Sequence, residues 1–139
     1  MRIGRRLAFD FGDVRIGVAV CDSDGILSSP LDFLLAKDPS LNQQIKVLID
    51  EYEPTKIYIG LPLNLSGQES ESSTKARAFE VRMNALTNIP TELIDERLST
   101  VNALKTLKEV GIDAKRAKTL IDSMAAVAIL EFGLKRDRQ

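Results

Sequence analysis

Three carboxylates stand out by their surroundings: Asp10, Glu96 and Asp122. Asp10 closes the apolar run Leu7-Ala8-Phe9 and precedes Phe11-Gly12-Asp13, a turn signal. A carboxylate after a strand stands at the rim of a sheet, where catalytic groups gather. The competing role is a turn Asp bonding its own backbone. Glu96 lies just past Leu93-Ile94, between Asp95 and Arg97. A surface ion pair competes there, but a helix opening at Ser99 or Thr100 would bring free backbone N–H groups close to a phosphate oxygen. Asp122 interrupts an otherwise apolar segment, Leu120 to Leu130, shared only with Ser123. On a helix it lies on one stripe with Ala125, Ala126 and Ile129. A carboxylate on an apolar stripe is costly unless paired, protonated or bound to a cation; an arginine or backbone N–H groups are the alternative partners.

The chain has no histidine and one cysteine, Cys21. That excludes Ser-His-Asp and Cys-His nucleophile systems, histidine-ligated or cysteine-rich zinc, and histidine acid/base catalysis. Hydrolysis must then use carboxylates, lysine, serine or an oxygen-held metal, and carboxylates suit Mg²⁺ or Mn²⁺. Carboxylates meeting at one point repel, and a divalent cation relieves that repulsion while supplying catalytic charge. Two-metal sites hold their ions roughly 3.5–4 Å apart to clamp the attacking and leaving oxygens of a phosphodiester. Three carboxylates are few for two ions, so substrate oxygens would complete the coordination.

Other residues fit around such a site. Arg15 and Arg97 can hold phosphate bidentately, or pair with Asp13 and Asp95. Gly60 and Gly67 permit a tight loop, from which Asn64 can contact substrate. Ser99 and Thr100 read as helix caps. Lys115 and Lys118 precede Asp122 on the same helix and can steer nucleic acid toward it; plain surface solvation is the alternative.

The elements that must position these groups follow from the hydrophobic pattern. Leu7 to Phe9 and Val14 to Val20, alternating with a period of two, read as a hairpin. A third strand lies within Ile26 to Leu35, interrupted near Pro30. Asp38-Pro39 is an N-cap and first helical residue for a helix carrying Leu41, Ile45, Leu48, Ile49 and Tyr52 and ended by Pro54. Ile57-Tyr58-Ile59 is a buried strand stopped by Gly60. Ala76, Phe79, Met83 and Leu86 mark an amphipathic helix, and Thr91 to Ile94 another strand. One helix runs from Ser99 to Gly111, and the last from Asp113 to about Phe132. Three strands, helix, strand, helix, strand and two helices form an α/β protein, a mixed sheet flanked by helices.

The 139 residues suit one domain, 1–139. No apolar run is long enough to span a bilayer, no secretory signal is evident, and one cysteine fits the reducing cytoplasm. The formal net charge of −1 does not announce a nucleic-acid binder. Basic residues nevertheless cluster at Arg2, Arg5 and Arg6, at Lys115, Arg116 and Lys118, and at Lys135, Arg136 and Arg138.

Four segments resemble motifs of the YqgF (RuvX) family, the Holliday junction resolvase-like proteins. They are Asp10-Phe-Gly-Asp-Val-Arg-Ile-Gly-Val-Ala19, Gly60-Leu-Pro-Leu-Asn-Leu-Ser-Gly67, Asp95-Glu-Arg-Leu-Ser-Thr100, and Asp122-Ser-Met-Ala-Ala126 with Ile129-Leu130. Order and spacing match over essentially the whole chain. The resemblance implies an RNase H-like fold, here a five-stranded mixed sheet, with the acidic residues on Asp10, Glu96 and Asp122. It implies a nuclease maturing the 5′ end of pre-16S ribosomal RNA, or alternatively one resolving branched DNA. The junction reading predicts a homodimer with facing sites; otherwise a monomer suffices. A binding module without catalysis is the non-enzyme alternative. Asp13 and Val14 stand where the family often has a small hydroxyl residue and a lysine. Asp13 is then a fourth metal contact or, preferably, a turn residue, and Arg15 replaces the lost phosphate contact.

Overall fold

The computed structural model describes residues 3–98 and 114–138, with side chains from 124 onward in the second stretch. Five strands form one sheet: β1 (Arg6–Phe11), β2 (Arg15–Cys21), β3 (Ser28–Leu35), β4 (Lys56–Leu61) and β5 (Thr91–Asp95). Helices α1 (Leu41–Tyr52) and α2 (Glu71–Leu86) separate β3, β4 and β5, and α3 (Ala114–Asp137) follows. The strand order is β3-β2-β1-β4-β5. β1, β2 and β3 pair antiparallel, as short turns between them allow, while β4 and β5 join in parallel after helical crossovers. The expected mixed five-stranded sheet is therefore present.

Alternation along the strands divides the core. Leu7, Phe9, Ile16, Val18, Ile57 and Ile59 face one way and pack with Leu41, Ile45, Phe79 and Met83 of α1 and α2. Ala8, Ala19, Cys21, Tyr58 and Ile94 face the other way, against Ala125, Ala126, Ile129, Leu130 and Leu134 of α3. The central strands are buried on both faces, as covered parallel strands require.

Several boundaries depart from the sequence pattern, for local reasons. Helix α1 begins at Leu41 rather than Pro39, because Asp38 spends its carboxylate on the Ser40 N–H (2.8 Å) in the preceding turn. Gly60 does not stop β4, which continues to Leu61. Helix α3 runs on past Phe132 through Gly133 to Asp137. A Cβ at Gly133 would stand 2.6 Å from the Tyr58 ring, so this glycine admits a close helix–sheet contact instead of ending the helix. Pro30 is accommodated within β3, an edge strand, where a missing N–H is tolerated. The helix expected over Ser99–Gly111 lies outside the described residues.

Candidate active site at the carboxyl ends of β1, β4 and β5

Asp10 is the fifth residue of β1. Ala8 belongs to the α3 side of the core and Phe9 to the other, so alternation turns Asp10 toward α3. Ala8 pairs with Tyr58 and Phe9 with Ile59. One further step of that register brings Asp10 beside Gly60.

Glu96 approaches the same glycine from the opposite side. It opens a short 3-10 turn directly after β5 and is only 3% exposed. An ideal Cβ built on Gly60 lies 3.3 Å from both Cδ and Oε1 of Glu96, and 2.5 Å from Cδ1 of Ile129. The Glu96 carboxyl group thus lies over β4, on the α3 face, in space that any side chain at position 60 would occupy. β4 separates β1 from β5 in the sheet, so Asp10 and Glu96 flank one side-chain-free position.

The third carboxylate belongs to α3. The helix backbone carries position 122 seven residues before Ile129, the residue that covers Gly60. The side chains of Asp122, Lys115 and Lys118 lie outside the described residues. Among the described residues no group of three His, Cys, Asp or Glu is clustered closely enough to hold a metal. Asp10 and Glu96 supply hard oxygen donors, the class that suits Mg²⁺ or Mn²⁺.

The cationic candidates divide. Arg97 turns away toward Asp95, with Nη2 donating to Oδ2 at 2.7 Å and Nε donating at 3.1 Å. That bond holds the Asp95 carboxyl below its ordinary value. Arg97 Nη1 also donates to the Leu65 carbonyl at 3.3 Å and packs 3.2 Å from a Cβ placed on Gly67. Arg97 therefore braces the loop after β4. Within that loop the Asn64 N–H donates to the Gln68 carbonyl and its own carbonyl accepts from Gly67, while the residue stays exposed. Arg15, by contrast, forms no ion pair among the described residues and lies against the ring of Phe33, 4.8 Å from its centroid.

Asp13 is 69% exposed and accepts from Lys75 of α2 at 2.7 Å, which lowers its carboxyl from the ordinary value. Its contact is with the side of the sheet opposite Asp10, as a turn residue. The sequence pattern missed Gly60, read there as a strand stop. A glycine with apolar residues before it, Ile57-Tyr58-Ile59, and an apolar one after it, Leu61, was the available signal for a strand interior open on one face.

The family model for RuvX, described as Holliday junction resolvase, matches residues 4–136. A Streptomyces avermitilis protein named "Putative pre-16S rRNA nuclease" is 43% identical over 99% of this chain and 90% of its own length. A relative of the same name from Clavibacter michiganensis is 38% identical over 99% of the chain and 87% of its own. Among solved structures, T. thermophilus RuvC in complex with a Holliday junction substrate covers 97% of this chain and 96% of its own, with a TM-score of 0.58 at 11% identity. A second T. thermophilus RuvC structure gives 0.51. The fold is that of the RNase H-like resolvases, and the chain belongs to the RuvX family.

Proposed function

We propose that the protein is a single-domain, metal-dependent nuclease acting in the cytoplasm on RNA phosphodiester bonds, in maturation of the 5′ end of pre-16S ribosomal RNA. The observation that carries this reading is the pair Asp10 and Glu96 astride Gly60, at the carboxyl ends of strands. Relatives bearing the pre-16S rRNA nuclease name along nearly their full length support the substrate.

Asp10, Glu96 and Asp122 would hold Mg²⁺ or Mn²⁺. When bound, the metal would stabilise charge on the phosphoryl oxygens and lower the pKa of water. The protein's own contribution is placement. Glu96 is fixed by the turn after β5 and by burial over Gly60, so its carboxylate needs little reorganisation when substrate arrives. Either carboxylate can orient the attacking water. Arg15 would hold backbone phosphate, Asn64 would reach substrate from the exposed loop, and Lys115 and Lys118 would steer the strand.

The test pairs wild type with Asp10→Asn, Glu96→Gln and Asp122→Asn, each given ribosomal RNA precursor or a four-way DNA junction in Mn²⁺ or EDTA. Metal-dependent cutting of the precursor by wild type alone is expected. Cutting that survives all three substitutions, or that appears on neither substrate, refutes the assignment. Cutting confined to the junction would move the substrate to branched DNA.

A further inference from the structure

We propose that Arg15, laid on the ring of Phe33, is a phosphate subsite that grips single-stranded RNA beside the scissile bond; the proposal rests on the nuclease reading and deepens it.

Strand register sets where Arg15 stands. Asp10 pairs with Gly17 across β1 and β2. Arg15 lies two residues from Gly17, on the same face and nearer the turn. A diagonal pair of this kind has Cα atoms about 7–8 Å apart, within the span of a long side chain. Arg15 leans from there toward the edge strand β3, away from β1, because its guanidinium rests on Phe33.

The position of Phe33 is itself built. Ile16 pairs with Leu34 and Val18 with Leu31. One residue of β2, Gly17, therefore faces two of β3, Asp32 and Phe33. Such a bulge re-aims side chains and recurs beside active sites. Here it lets Leu31 and Leu34 both pack on the α1 and α2 side while Phe33 reaches Arg15 on the other.

Two of the three guanidinium nitrogens are unsatisfied in this position. Its Nε and Nη1 are covered and have no hydrogen-bond partner among the described residues. Covered, unpaired donors on a charged group are costly, and a buried charge is normally paired. An aromatic platform holds the plane of the guanidinium but offers its N–H groups nothing to donate to. Nη2 is not among these covered atoms, and a phosphodiester oxygen approaching that edge of the fork would supply an acceptor. The offset toward β3 assigns the subsite to a neighbouring phosphate rather than the reacting one.

The experiment measures binding of a short fluorescein-labelled single-stranded RNA by anisotropy in EDTA, across a salt series, so that no cutting is required. Wild type is compared with Arg15→Gln, Arg15→Lys, Phe33→Leu and Phe33→Tyr, and thermal melts check folding. Arg15→Gln should weaken binding about tenfold and reduce the salt slope by about 0.7. Arg15→Lys should keep the slope and still lose affinity, because an ammonium cannot stack as a plane. Phe33→Leu should weaken binding about three- to tenfold while Phe33→Tyr stays close to wild type. If this pattern holds in a protein that cuts no RNA, the subsite stands and the nuclease reading fails. Unchanged affinity and slope in Arg15→Gln, with RNA cutting intact, overturn the subsite alone. Equal losses in Phe33→Leu and Phe33→Tyr overturn the role of the ring.

Discussion

Gly60→Ala is the most demanding test of how the site is assembled. The added Cβ would meet Cδ1 of Ile129 at 2.5 Å and the Glu96 carboxyl at 3.3 Å. The first contact is a clash and the second is tight. Ile129 is fully buried in the cluster that also holds Ala8, Tyr58 and Leu130, so its terminal methyl has little room to swing away. Overpacking of this kind costs about 1–3 kcal/mol. For a domain of this size that corresponds to a fall in melting temperature of about 3–12 °C. The carboxyl must also retreat by a few tenths of an ångström or turn, and misplacement on an ångström scale can cost about 10²-fold in rate.

The two effects separate in a double substitution. Ile129→Val deletes the clashing Cδ1, at a cost of its own of about 0.5–1.5 kcal/mol. In Gly60→Ala/Ile129→Val the stability loss should be smaller than the sum of the single losses, a coupling readable from chemical denaturation. Mn²⁺ affinity by calorimetry and cutting of the RNA precursor should stay depressed, because the Cβ still crowds Glu96. A Gly60→Ala protein that melts and cuts like wild type would refute the steric reasoning. A double variant that recovers stability, metal affinity and cutting together would show that Gly60 does not position Glu96.

Three further outcomes follow from other contacts. Asp13→Asn should leave metal-dependent cutting and Mn²⁺ affinity unchanged, since Asp13 is exposed and bonded to Lys75; a lost metal affinity in calorimetry would make it a metal ligand instead. The bond from Arg97 keeps the Asp95 carboxyl below 3.8, so the stability it contributes is complete above that value and is lost as pH falls through the lower, folded value. Denaturation of wild type and Arg97→Gln should therefore differ at neutral pH and converge once acid has protonated Asp95 in the folded state, whereas a gap that persists under strong acid would point to packing. Gly133→Ala should destabilise by at least about 1 kcal/mol despite the better helix propensity of alanine, because the Cβ would lie 2.6–2.7 Å from three ring atoms of Tyr58; a raised melting temperature would mean the helix shifts freely.

Much of the fold was legible because burial imposes a period. The alternation through Ile16, Val18 and Val20, and the spacing of Ala76, Phe79 and Met83, record which face each element buries. Gly60 misled because a glycine's signal is ambiguous. Gly60 and Gly133 resemble element ends in a one-dimensional pattern, yet each is a place where another chain segment presses on the backbone. Only the partner distinguishes the cases, and for both glycines it lies more than thirty residues away in sequence. Asp10 was legible at a strand end for the same periodic reason. The orientation of Arg97 was not, because pairing with Asp95 and bracing the Leu65 carbonyl depend on where the loop folds back. The bulge that turns Phe33 toward Arg15 was equally hidden, since it appears only as a mismatch between two strands.

The division of side-chain size between the two faces explains how Asp10 and Glu96 come to flank a bare stretch of backbone at Gly60. The face toward α1 and α2 is filled by Leu7, Phe9, Ile16, Val18, Ile57 and Ile59, bulky residues that hold those helices off the sheet. The face toward α3 carries Ala8, Gly17, Ala19 and Gly60 at its centre, against Ala125 and Ala126 of the helix. Small residues on both sides of a contact let a helix approach closely, and that closeness is what Ile129 and Gly133 register. A helix pressed onto alanine and glycine brings Ile129 to the end of β4, with no bulky side chain at position 60 to stand between Asp10 and Glu96. The catalytic proposal and the packing of α3 therefore depend on one feature, so substitutions that enlarge this seam should impair metal binding before they unfold the sheet. Ala8→Val, one same-face position before Asp10 on β1 and beneath the same helix, is the discriminating case. Its Mn²⁺ affinity should fall while the strand hydrogen bonds keep their exchange protection, and a variant with full affinity would break the link between the seam and the site.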